Sequence, residues 1–144
     1  MFGGSDAIYF NGLSGDAVSL DQTTGHWDTV RGPDGDVTLN GAQTSVIGQN
    51  DRVYFSAGAY SAVSLYATNG VWDTVYGAGG DVTLNNAQTS MFGGGDHVYF
   101  HPGQPSAVSL YQTNGLDDFV SGSNGAVTLN DAQAFVSGTD SQIF

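Results

Sequence analysis

Apolar and polar residues alternate along this chain in short runs that keep returning in the same order. Between residues 48 and 92 the runs are 52–55, 62–66, 72–76, 81–85 and 89–92. Within them Val63 and Leu65 share one face, as do Val82 and Leu84, while Ser64 and Thr83 point the other way. Period-two alternation of this length predicts β-strands with one buried face. Gly-rich or polar corners separate the runs, at 56–61, 67–70, 77–80 and 86–88. No run has helical period and adequate length, so the chain is expected to be all-β.

The pattern repeats every 45 residues. Units 3–47, 48–92 and 93–137 align without a gap, and 20 of the 45 positions are identical in all three, which marks a tandem-repeat domain spanning 1–144. A partial fourth unit, 138–144, follows on the same beat. Met1-Phe2 is in register with Val46-Ile47 and Met91-Phe92, so the chain reads as starting in mid-repeat, with no signal peptide visible.

A finer step lies inside the unit. Gly-x-x-Asp-x-Val/Ile occurs around Asp6, Asp28, Asp51, Asp73, Asp96 and Asp118. Its spacing of about 22 residues suits one coil of a parallel β-solenoid, in which coils stack at roughly 4.8 Å. The expectation is a solenoid with two such coils per unit and the six Asp stacked in a column. The rival reading starts from Gly32-Pro33-Asp34-Gly35 and its equivalents, which are serviceable hairpin loops. It makes each unit an antiparallel meander in a closed threefold or blade-like body. The fourth partial unit argues against closure, because a threefold body has no slot for it.

Composition narrows the function. All 14 acids are Asp, the only Lys or Arg residues are Arg31 and Arg52, and the net charge is −12. So negative a field disfavours nucleic-acid phosphates and anionic membranes. There is no Cys, so thiol chemistry is excluded, and no apolar run approaches a membrane span.

Gly93-Gly94-Gly95-Asp96-His97-Val98 and Trp72-Asp73-Thr74-Val75-Tyr76-Gly77 resemble the RTX (haemolysin-type) calcium-binding repeats of secreted bacterial proteins. The wider pattern AVSLY-x-TNG-x-WDTV also resembles long arrays in large bacterial surface proteins. The resemblance implies a secreted or cell-surface location and calcium held between turns. The chain departs from that family in its shorter Gly-to-Asp spacing and in lacking tandem nonapeptides.

The residues themselves leave two roles for the Asp set. Like charges facing at about 5 Å cost about 0.9 kcal/mol per pair in water, and more where buried. A calcium ion on Asp6, Asp28, Asp51, Asp73, Asp96 and Asp118 would offset that repulsion. Alternatively each Asp caps its turn by accepting backbone N–H bonds. Trp27 and Trp72 share a repeat position and are candidate sugar-stacking residues, or else coil-edge packing. Asn40, Asn85 and Asn130, with Gln43, Gln88 and Gln133, suggest structural amide ladders. His26, His97 and His101 follow no repeat rule, which gives no zinc spacing. A unique catalytic site normally breaks repeat symmetry, and the breaks here are small: Asp117, Phe119, Ala134, Phe135, Arg31 and Arg52.

The sequence thus leads to a structural or adhesive repeat segment of a secreted or surface protein, calcium-stabilised, associating with itself end to end. The alternative is a lectin-like module that binds glycans. No enzyme, nucleic-acid partner or membrane insertion is expected.

Overall fold

The computed structural model describes residues 4–12, 15–21, 25–67, 70–111 and 115–144. Met1-Phe2 and part of the corner expected at 67–70 lie outside this set. Among the described residues there are sixteen strands and no helix. The first unit holds β1 (Ala7–Tyr9), β2 (Ala17–Asp21), β3 (Trp27–Arg31), β4 (Asp36–Asn40) and β5 (Gln43–Gly48). The second holds β6 (Arg52–Phe55), β7 (Ala62–Ala67), β8 (Asp73–Tyr76), β9 (Asp81–Asn85) and β10 (Gln88–Phe92). The third holds β11 (His97–Phe100), β12 (Ser106–Tyr111), β13 (Asp118–Ser121), β14 (Gly125–Asn130) and β15 (Ala134–Ser137), and β16 (Gln142–Ile143) follows.

Successive strands alternate between two eight-stranded sheets. Odd-numbered strands form one and even-numbered strands the other, and every pairing is parallel. The chain is therefore a parallel β-solenoid with two strands per coil. The corners 32–35, 77–80 and 122–125 carry it from one sheet to the other rather than closing hairpins, because strands on either side of each corner pair with other coils.

The coil is not a uniform 22 residues. Neighbouring rungs are 22 residues apart at Ala7 and Thr29, 16 at Trp27 and Gln43, and 19 at Gln43 and Ala62. Each 45-residue unit contributes five strands, and hence two and a half coils rather than two. An odd strand count turns each unit over. The equivalent strands β1, β6, β11 and β16 fall alternately on the odd and even sheets. A motif that recurs once per unit is therefore displayed on opposite faces of the stack in turn.

Inward side chains form apolar columns between the sheets. Val37, Val53, Val75 and Met91 run along the even sheet, and Val30, Val46, Leu65 and Leu84 along the odd sheet, all buried. Each Leu or Val buried this way contributes roughly 1.5–3 kcal/mol relative to exposure. The Phe ending the Tyr-Phe pair also turns inward. Phe10, Phe55 and Phe100 lie beneath Gly35, Gly80 and Gly125, where any Cβ would overlap the ring. That close approach is why the last residue of the crossing corner is glycine in all three units.

Candidate functional site

The six repeated Asp residues do not make one column. The turn-over between units moves Asp51 and Asp73 to the even sheet, while Asp6, Asp28, Asp96 and Asp118 belong to the odd sheet. They stand instead as three separate pairs on adjacent rungs. In each pair the earlier residue's backbone N–H donates to the later carboxylate: Asp6 to Asp28 at 2.9 Å, Asp51 to Asp73 at 3.0 Å and Asp96 to Asp118 at 3.0 Å. The earlier side chain reaches the coil before it. Gly35 N–H donates to Asp51 Oδ1 and Gly80 N–H to Asp96 Oδ1, both at 2.9 Å. These bonds satisfy corner amides that no ladder partner reaches, the capping role read from turn chemistry.

Five of the six carboxylates are buried: Asp28, Asp51, Asp73, Asp96 and Asp118. Burial pushes Asp51 up to about 6, opposed by the Gly35 N–H and reinforced by the charges of Asp34 and Asp36. Burial likewise takes Asp73 to about 7, with the backbone bonds from Asp51 and Asn50 opposing and the Asp51 charge adding to it. Asp96 rises to about 6 for the same first reason, and Asp118 is also raised by burial. One oxygen stands apart. Asp51 Oδ2 is buried with no hydrogen-bond partner, and it points toward Gly48, beside the Gly32 carbonyl.

Calcium takes roughly six to eight oxygens. Each pair supplies two carboxylates, and the described residues contain no group of three or more His, Cys, Asp or Glu able to hold a metal. Among the described residues, Asp51 Oδ2 is the one buried carboxylate oxygen without a hydrogen-bond partner.

Trp27 and Trp72 are both partly exposed, but on different sheets. Trp27 pairs with Gln43 on the odd sheet, and Trp72 precedes β8 on the even sheet. The repeated amides are also divided between faces. Asn40 Nδ2 donates to Ser19 Oγ at 3.0 Å and to Asp21 Oδ1 at 2.8 Å, and Asn40 Oδ1 accepts from Ser56 Oγ. The amide thus ties its coil to the coils on either side rather than stacking on Asn85. His97 lies beside Asp81 at 3.4 Å, the repeat position where Arg52 pairs with Asp36 at 2.6 Å on the other face.

The outward faces carry a feature that the strand pattern did not single out. On the even sheet Tyr54, Tyr76, Phe92 and Tyr111 stack face to face, with centroids 5.1, 5.2 and 4.6 Å apart. On the odd sheet Phe119 stacks on Phe135 at 5.3 Å, and His97 meets Phe119 edge-on at the same distance. Sequence alone scatters these rings over four strands. Only the changing rung spacing of 22, 16 and 19 residues brings them into line.

Fold and corners together define a repeat protein of the two-sheet β-solenoid class. In comparison with known proteins, no family model, no curated protein and no solved structure matches the chain.

Proposed function

We propose that the chain is a structural or adhesive segment of a secreted or surface bacterial protein, a stiff spacer that displays two flat faces. One observation carries this reading. The repeated Asp and Gly positions, with Asn40, are engaged in building the coil, while outward positions such as Arg31, Tyr76 and Ser121 differ from unit to unit. Self-association end to end belongs to the proposal, because among the described residues β1, β2, β15 and β16 each pair on one side only. The experiment is small-angle scattering with sedimentation across a concentration series. A rod cross-section with mass rising in end-to-end steps supports it. A compact particle, or one that stays monomeric at high concentration, removes the spacer or the self-association respectively.

Calcium enters as a separable part, supported by the unpartnered Asp51 Oδ2. Thermal melts with calcium and with EDTA decide it: a higher Tm with calcium retains the ion, and coincident melts remove it without touching the structural role.

A further inference from the structure

The 45-residue repeat supplies an internal reference for every outward position, and one region differs from its reference in a specific way. In the second unit the Tyr54 ring is covered by Tyr76, and Tyr76 by Phe92, at about 5 Å spacing. The equivalent residues of the third unit are Tyr99, Ser121 and Ser137. Their strands pair as in the second unit, with Tyr99 next to Ser121 and Ser121 next to Ser137. Tyr99 therefore keeps its place at the head of a column from which the next two rings are missing.

The vacated space is walled rather than left flat. In the neighbouring outward column the second unit has Thr74 and Ser90, and the third unit has Phe119 and Phe135. Those two rings, stacked on one another, flank the gap, and His97 closes the corner beside Tyr99. The result is a groove of about 510 Å³, floored by Ser121 and Ser137. Tyr99 is 41 % exposed, Phe119 47 % and Phe135 61 %. Aromatic and hydroxyl residues have thus changed columns relative to the second unit, Tyr76 and Phe92 giving way to Ser121 and Ser137 while Thr74 and Ser90 give way to Phe119 and Phe135, which exchanges a filled column for a slot.

We propose that this groove is a binding site for a small planar aromatic ligand, neutral or cationic, seated on the Tyr99 ring where the second unit places its own Tyr76 and Phe92. The second unit shows the fit, since the same backbone geometry holds stacked rings at 4.6–5.2 Å. Offset or face-to-face stacking of this kind adds to the gain from burial. The net charge of −12 disfavours an anion. A pyranose is disfavoured by the lining. Beside its aromatic faces the groove offers four polar side-chain groups, the Ser121, Ser137 and Tyr99 hydroxyls and the His97 ring, and Ser137 Oγ already donates to the Val120 carbonyl at 3.5 Å. These are fewer groups than a pyranose has hydroxyls, so a planar aromatic ring matches the lining better. The volume lies within the small-molecule range.

The test uses thioflavin T, a planar cation, titrated into the whole chain with the Tyr99 ring followed by NMR. Saturable binding that shifts the Tyr99 ring signals is expected. The double variant S121Y/S137F restores the residues of the second unit and fills the slot. It is expected to bind about tenfold more weakly or worse, the scale of one lost aromatic stack. Y99A removes the platform while leaving the slot open, with the same expected loss, and it decides the matter if the double variant fails to fold. Y54A, at the filled column, leaves binding at the Tyr99 site unchanged. The proposal is overturned by unaltered affinity in S121Y/S137F or Y99A, or by no saturable binding to the unaltered chain. Methyl β-glucoside shifting Tyr99 where thioflavin T does not would overturn the ligand class.

Discussion

The second and third units use the same strands to opposite ends on their outward faces. On the even sheet the second unit closes its surface with the stack Tyr54–Tyr76–Phe92, which Tyr111 of the third unit extends. On the odd sheet the third unit retains Tyr99, places serine below it and moves its rings one column across, to Phe119 and Phe135. Inward, the two units keep the same apolar pattern, although Leu129 and Val136 are only partly buried where Leu84 and Met91 are buried fully. Val82 and Leu84 are as buried as Val127, and Phe55 and Phe100 occupy the same glycine cradles. Packing density fixes what points in. What points out is constrained only by the column it joins, so it can diverge within a single chain.

The strongest way to break this comparison is to attack the part held in common. Gly80→Val and Gly125→Val each drive a side chain into a Phe ring. Each is expected to cost about 3 kcal/mol by denaturant unfolding, alike in both units. A cost confined to one unit would show that the cradles are not equivalent.

Acidity probes the buried pairs. Asp51 and Asp73 hold their protons to about 6 and about 7 in the fold, against 3.8 ordinarily. The folded state then binds more protons than the unfolded chain between these values. Stability is full below about pH 4 on this account and falls as pH rises through 6 to 7. Removing Asp51's share with Asp51→Asn is expected to flatten that fall by about 2 kcal/mol, allowing for relaxation around the carboxylate. Urea unfolding of both proteins at pH 4 and pH 8 measures it, and parallel slopes would contradict the assignment.

The outward faces come next. Y76S/F92S gives the second unit's column the serines of the third and is expected to lower stability by about 1–2 kcal/mol through lost stacking. A Tm that does not move would mean the column is decorative.

The smallest effect concerns one hydroxyl. Thr89 Oγ1 donates to the Asp73 carbonyl at 3.2 Å, as Thr44 does to Asp28, whereas the third unit has Ala134 in that place. Thr89→Ala is expected to cost about 1 kcal/mol. Ala134→Thr should recover a few tenths of that, and calorimetry resolves both.

How far the site could be read in advance follows from the same distinction. The pairing of Val63 with Leu65, or of Val82 with Leu84, announced strands, because alternation is a local consequence of the pleat. Gly41, Asn86 and Asp131 differ in the sequence yet all adopt positive φ, 70°, 52° and 55°, at one corner. Only residues tolerant of the left-handed region recur there, so the corner was legible. The capping role of Asp51 and Asp96 was one of the two roles turn chemistry offered for them. Their division into pairs was not, nor was the groove under Tyr99. Both depend on rung offsets of 22, 16 and 19 residues, which a constant spacing of Asp conceals.

By itself, then, the sequence determined that this is an all-β repeat protein with corners of Gly, Asn and Asp and an inward face of Val and Leu, since each of these follows from neighbours within a few residues. Tertiary structure alone decided that five strands per unit turn each repeat over. It thereby set which aspartates meet, which face each tryptophan takes, and where a column of rings is complete or interrupted. These are contacts between rungs, and a rung finds its neighbour by hydrogen-bond register rather than by distance along the chain.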